Sequence, residues 1–267
     1  MSFNCLKSLL LTLNLFSKSI FLTLFLVSFS AIALAETTLV AVAANFGQPM
    51  AEISGAFKKA TGHSAKLSLG SSGKFVAQFE SGAPFEVFLS ADNEKPLKLE
   101  HAGLTVPGSR FTYAVGKLAL WSATAGLVDG QGQILDKGGF KHLALADPKL
   151  APYGAAAIEV MKNKGLLKKL QPLFVEGENI AQTHQFVRTG NAELGFLALS
   201  QIIDNGKIIT GSGWIVPENL HSPILQDAVL LKTGEKNPAA SALLQFLKSP
   251  EALAIIEKYG YGLPKSK

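Results

Sequence analysis

The chain has 267 residues, 48% of them hydrophobic and 17% charged, with a formal net charge of +5 and a single cysteine. Its basic residues are dispersed: arginine occurs only at Arg110 and Arg188, and no Lys/Arg block exceeds two residues. That distribution excludes the clustered basic footprint of a nucleic-acid-binding protein. Cys5 is the only thiol and sits at the extreme N-terminus, so the body of the chain has no cysteine nucleophile, zinc–thiolate site or disulfide.

Residues 1–35 predict a cleavable export signal. Lys7 and Lys18 are their only charged side chains, Ile20 to Phe29 forms a short apolar core, and Ala33-Leu34-Ala35 supplies a small-x-small cleavage pattern. A membrane-spanning helix wants about 20 apolar residues, more than this core offers. Cys5 lacks the small-residue context after an apolar core that marks a lipoprotein, and it departs with the leader. Cleavage after Ala35 leaves a mature periplasmic chain that starts at Glu36. Removing the leader's two lysines from the 25 basic residues leaves 23 against 20 acidic, a net of +3.

Beyond the leader, short apolar runs alternate with helical patterns. Strands are expected at Thr38–Val42, Ala65–Leu69 and Glu86–Ser90. Helices are expected at Pro49–Thr61, after Gly70-Ser71-Ser72-Gly73, and at Asn93–Ala102. Phe111 to Leu120 reads as one long strand, able to leave one lobe and enter another. A second series follows: strand His142–Ala146, helix Tyr153–Lys164, strand Leu173–Glu176, helix Ile180–Thr189 and strand Glu193–Leu197. Asp227–Lys232 is a strand that could cross back, and helices at Asn237–Lys248 and Pro250–Tyr259 close the chain. The βα rhythm implies α/β architecture with mainly parallel sheets covered on both faces. Two lobes joined by two long strands fit the pattern, and so does one continuous sheet.

Four segments share a signature: a strand end, small or polar residues, then a helix start. They are Ala43-Ala44-Asn45-Phe46-Gly47, Gly70-Ser71-Ser72-Gly73, Ala151-Pro152-Tyr153-Gly154 and Gly177-Glu178-Asn179-Ile180. In open α/β sheets ligands sit beyond the carboxyl ends of the strands, where free N–H groups at helix N-termini favour an anion. None of the four contains Lys, Arg or His, so an anion there would be held by neutral donors. Any one turn alone reads first as a simple helix cap; four in these topological places together point to an anion. The five histidines show no metal-ligand spacing, so no site for a free metal cation is expected. Gly70-Ser71-Ser72-Gly73 is neither a G-x-S-x-G nucleophile elbow nor a Walker loop, and no motif supplies a base for Ser72; an enzyme is not expected.

Over essentially the whole mature chain the sequence resembles the molybdate-binding proteins of ABC importers. The resemblance rests on the first strand with its Ala43-Ala44-Asn45 turn, on Gly70-Ser71-Ser72-Gly73 and Ala151-Pro152-Tyr153-Gly154, on Gly82-Ala83-Pro84 followed by Val87-Phe88-Leu89-Ser90-Ala91-Asp92, and on Pro107 to Leu118. Asp147-Pro148, Leu194-Gly195-Phe196 and Tyr259-Gly260-Tyr261 extend it. It implies a two-lobed periplasmic-binding-protein-like fold, each lobe a sheet flanked by helices, joined by a two-strand hinge. Lobe 1 would span residues 36–114 with 226–267 returning to it, and lobe 2 residues 115–225. It further implies a monomer that captures molybdate or tungstate as ligand, not cofactor, and delivers it to an ABC permease; sulfate or another small oxyanion is the alternative. Carried over by position, the ligand donors are Asn45, Ser72, Tyr153 and Ile180, with a backbone contact from Ala44. One branch of the family has a Tyr donor where this chain reads Gly195-Phe196-Leu197-Ala198. Members with Ala there carry Asn and Tyr at the positions of Asn45 and Tyr153, which implies that the phenol has moved to Tyr153.

Overall fold

A computed structural model describes residues 35–204 and 206–264. The expected leader lies outside the described residues, apart from Ala35.

The first series runs β1 (Thr37–Ala43), α1 (Gly47–Thr61), β2 (Ser64–Gly70), α2 (Ser72–Glu80), β3 (Val87–Leu89) and α3 (Glu94–His101). β4 (Phe111–Gly116) and β5 (Leu118–Ser122) follow, then a short α4 (Ile134–Lys137). The second series is β6 (Leu143–Ala146), α5 (Pro152–Asn163), a short α6 (Leu167–Leu170), β7 (Phe174–Gly177), α7 (Ile180–Arg188) and β8 (Leu194–Ala198). After it come β9 (Ile203–Asp204), β10 (Lys207–Ile208), β11 (Ser212–Ile215), β12 (Ile224–Leu230), α8 (Pro238–Phe246) and α9 (Pro250–Lys258).

Two five-stranded sheets result, ordered β2-β1-β3-β12-β4 and β11-β5-β8-β6-β7. Read from opposite edges they share one plan. In each, the first strand of a series pairs in parallel with the second and the third (β1 with β2 and β3; β6 with β7 and β8), and two further strands add antiparallel. Both sheets are therefore mixed, with the antiparallel strands next to the crossings between lobes.

The expected long strand over Phe111–Leu120 is divided at Lys117. β4 belongs to the first sheet and β5 to the second, so the chain changes lobe there. The return lies between β11 and β12; Asp227–Leu230 lies wholly within the first sheet and does not itself cross. The first sheet's β4 ends at Gly116 and the second sheet's β5 begins at Leu118; on the return β11 ends at Ile215 and β12 begins at Ile224.

Each sheet has its own core. In the first, Val40, Val42, Val87 and Leu89 pack on Met50, Ile53 and Phe57 of α1 and on Leu243 and Leu244 of α8. The opposite face holds Phe75, Phe79, Phe88 and Leu99. In the second, Leu143, Leu145 and Phe196 pack on Ala156, Ala157, Val160 and Met161 of α5. The apolar positions of α1 and α5 recur at helical spacing, so burying that stripe fixes each helix on its sheet.

Candidate functional site

Asn45, Ser72, Tyr153, Ile180 and Ala44 all line one cavity, together with Ser71, Ala91, Pro152 and Asn179. The expected site residues come together because β1, β2, β6 and β7 end on the same cleft. Ala43 leads into a turn of 3-10 helix (Ala44–Phe46), Gly70 into α2, Ala146 towards α5 and Gly177 into α7. The cavity is small, of a size for one compact ion. No Lys, Arg, His, Asp or Glu lines it.

The caps decide between a simple helix start and an anion site. Ser71 is the N-cap of α2, yet its side chain makes no capping bond and its buried Oγ has no partner. Ala151 caps α5 without a side-chain acceptor; Pro152 brings no N–H, so Tyr153 presents the first one. Asn179 does cap α7, accepting from the N–H of Ala181 and Gln182, but it leaves that of Ile180. The N–H groups of Asn45, Ser72, Tyr153 and Ile180 have no acceptor among the described residues. Ser72 Oγ accepts from the N–H of Ala91 at 3.0 Å, which leaves its own hydrogen to donate. Two lobes therefore present free neutral donors to one small space, at helix starts whose dipoles favour negative charge.

Close backbone approach makes this geometry possible. A Cβ on Gly154 would lie 1.9 Å from the carbonyl oxygen of Ala146, so only glycine lets α5 begin so near the end of β6. A Cβ on Gly116 would lie 2.3 Å from the Tyr153 hydroxyl and 2.6 Å from Gln226 Nε2. The lobes also touch directly. The N–H of Gly73 donates to the Leu150 carbonyl at 2.9 Å, Ser200 Oγ donates to the Asn45 carbonyl at 3.0 Å, and Lys74 Nζ pairs with Glu178 at 2.6 Å.

Behind the cavity lies a buried polar network that the sequence did not reveal. Gln226 Oε1 accepts from Asn45 Nδ2 and from Tyr113 OH, each at 3.0 Å, and Gln226 Nε2 donates to Tyr153 OH at 3.0 Å. Tyr261 OH donates to the Asn45 carbonyl at 2.8 Å. Burial pushes the phenols of Tyr113 and Tyr153 well above the usual tyrosine value and that of Tyr261 up to about 12. All three stay protonated and neutral near pH 7. One signal was available: Gln226-Asp227 interrupts an otherwise apolar β12. Ser200 and Tyr261 carry no local signal.

These features define a two-lobed α/β protein with a small interlobe cavity lined by unpaired neutral donors. The chain belongs to the family of bacterial extracellular solute-binding proteins, whose pattern matches residues 38–262. It is 58% identical over 224 residues to molybdate-binding protein ModA of Azotobacter vinelandii, covering 84% of this chain and 89% of that one. ModA of Rhodobacter capsulatus is 54% identical over 229 residues, covering 86% and 89%. Among solved structures, the periplasmic molybdate-binding protein of Azotobacter vinelandii superposes with a TM-score of 0.83 at 45% identity, covering 85% of this chain and all of that one.

Proposed function

We propose that this protein captures molybdate or tungstate between its lobes and delivers it to the permease of an ABC importer. It works as a monomer in the periplasm after cleavage behind Ala35. The oxyanion is its cargo, not a cofactor, and no bond in it is broken. The observation that carries this reading is the donor set: four unpaired N–H groups and the Ser72 hydroxyl around a space for one small ion, with no charged side chain in the wall. A dianion without an ionisable proton suits such a wall. Phosphate near neutral pH is partly protonated and would want a carboxylate acceptor for that proton, which the lining lacks. The two relatives named for molybdate binding support the choice among dianions.

Size then sets selectivity. Fixed donors reach good hydrogen-bond length only to an anion of matching radius, and a smaller one leaves donors stretched in a closed cleft. Calorimetric titration of the mature protein with molybdate, tungstate, sulfate and phosphate tests this. Tight binding of the first two, much weaker binding of sulfate and none of phosphate is expected. Sulfate binding as tight as molybdate would refute the size argument, and sulfate alone would make this a sulfate-binding protein.

A further inference from the structure

Gln226 is buried in the middle of β12 and does not line the cavity. Its carboxamide nevertheless reaches a cavity residue in each lobe. The Nε2 end donates to Tyr153 of the second lobe, and the Oε1 end accepts from Asn45 of the first, both at 3.0 Å. Asn45 spends its other amide hydrogen on Tyr261 OH at 3.0 Å, and its Oδ1 is buried without a partner. Tyr153, having received a hydrogen from Gln226, still holds its own.

A carboxamide has one donor end and one acceptor end. If Gln226 turns over, Nε2 donates to Asn45 Oδ1 and Oε1 takes the hydrogen of Tyr153. Asn45 must turn over with it, which places its Nδ2 where Oδ1 now lies. The neighbours tolerate either arrangement: Tyr113 OH keeps the Ser90 carbonyl at 3.0 Å, and Tyr261 OH keeps the Asn45 carbonyl at 2.8 Å. In the first arrangement Tyr153 has a side-chain hydrogen for the cavity and Asn45 has none; in the second the roles are exchanged.

We infer that Gln226 is a positioning residue that makes the Asn45 amide and the Tyr153 hydroxyl alternative, not simultaneous, donors to the bound anion. The inference rests on the oxyanion-binding function proposed above. It deepens that function by assigning the choice of side-chain donor to a residue that never touches the ligand.

The titratable groups of this network are Tyr113 from β4 and Tyr153 from α5, both bonded to Gln226, and Tyr261 from the C-terminal segment, bonded to Asn45, all held protonated by burial. The charges acting on Tyr113 are Asp227, paired with Arg110, and Asp92, paired with Lys95. The wild-type network thus has no titration of its own near neutrality, and an introduced one is readable. Replacing the amide by a carboxyl (Q226E) keeps one donor and one acceptor while the group is protonated. Once ionised, it accepts at both ends and takes the hydrogens of Asn45 and Tyr153 together.

Tungstate is titrated calorimetrically into wild type and Q226E between about pH 6 and about pH 8.5. Wild-type affinity should stay flat. Q226E should approach it at the acid end and fall at least ~10-fold as the carboxyl ionises, since each forfeited hydrogen bond to a charged ligand is worth about 10- to 150-fold. A flat Q226E profile, at any affinity, overturns the inference. If circular dichroism shows Q226E unfolded, Y153F is compared in the wild-type and Q226M backgrounds. With Gln226 present, Asn45 replaces the lost phenol and Y153F should cost less than ~10-fold; with Met at 226 it should cost the full ~10- to 150-fold. Equal costs in the two backgrounds overturn the inference. Wild type that binds none of the four anions refutes the proposed function itself, before any variant is compared.

Discussion

Gly73→Ala should weaken ligand binding without weakening the fold. Gly73 is the second residue of α2, and its N–H donates across the cleft to the Leu150 carbonyl at 2.9 Å. A Cβ there would lie 3.0 Å from Leu150 Cα and 3.1 Å from Leu150 O. Both are backbone atoms, which cannot swing aside as a side-chain end can. The lobes would have to part by a few tenths of an ångström or lose the Gly73–Leu150 bond. Overpacking of this kind costs about 1–3 kcal/mol, and here the whole cost falls on the state in which the lobes touch. Within α2 itself Ala is the better residue, by up to ~1 kcal/mol. Affinity for molybdate should therefore fall about 5- to 150-fold, while the melting temperature without ligand stays level or rises. Calorimetric titration beside thermal denaturation reads both signs. Unchanged affinity would mean that the Gly73–Leu150 contact is absent from the bound state. A parallel fall in melting temperature would mean general damage to the fold.

Ser72→Ala removes a donor and should weaken molybdate binding about 10- to 150-fold. It also strands the buried N–H of Ala91, so the melting temperature without ligand should drop modestly. Lys74 and Glu178 bridge the lobes at 2.6 Å, but each side chain is 46% exposed. Lys74→Ala should therefore change affinity less than ~5-fold, a difference that calorimetry at about 1 M salt should abolish. Tyr261 is raised from 10.0 to about 12 by burial. Its contribution to stability is complete below pH 10.0 and lost as pH rises towards about 12, so unfolding midpoints measured across that window should fall less steeply in Y261F.

The four turns were legible because their chemistry is local. A strand ending in Gly or Ala, a small or polar pair and a helix start reads the same in sequence and in structure, and all four converge once the sheets form. The break at Lys117 was not legible. Residues 111–120 favour strand throughout, and what marks Gly116 is the Tyr153 hydroxyl occupying the place of its missing Cβ, a contact between residues far apart in sequence. β9, β10 and β11 are two to four residues long and lie among Gly206, Gly211 and Gly213, too short for a period to show. Gln226 showed only as a polar residue in an apolar strand, and such a residue ordinarily faces solvent. Its neighbour Asp227 proved to pair with Arg110 at 2.7 Å, while Gln226 reached into the interlobe network.

The same unpaired donors explain why the ligand, and not the protein alone, should decide closure. Asn45 and Ser72 contribute two N–H groups from one lobe, and Tyr153 and Ile180 two from the other. Open, all four are hydrated. Closing over an empty cavity strands them, at about 1–3 kcal/mol for each left unsatisfied. Against that cost stand the direct interlobe contacts. The Gly73–Leu150 and Ser200–Asn45 bonds are worth about 1 kcal/mol each, and the exposed Lys74–Glu178 pair at most ~1 kcal/mol. The contacts sum to at most about 3 kcal/mol against about 4–12 kcal/mol for four stranded groups, so they cannot hold an empty protein shut. An oxyanion of the right radius satisfies all four N–H groups and the Ser72 hydroxyl at once, turning the largest penalty of closure into its largest gain. The unpaired donors therefore make closure depend on the ligand, the condition a carrier must meet if a permease is to tell loaded from empty.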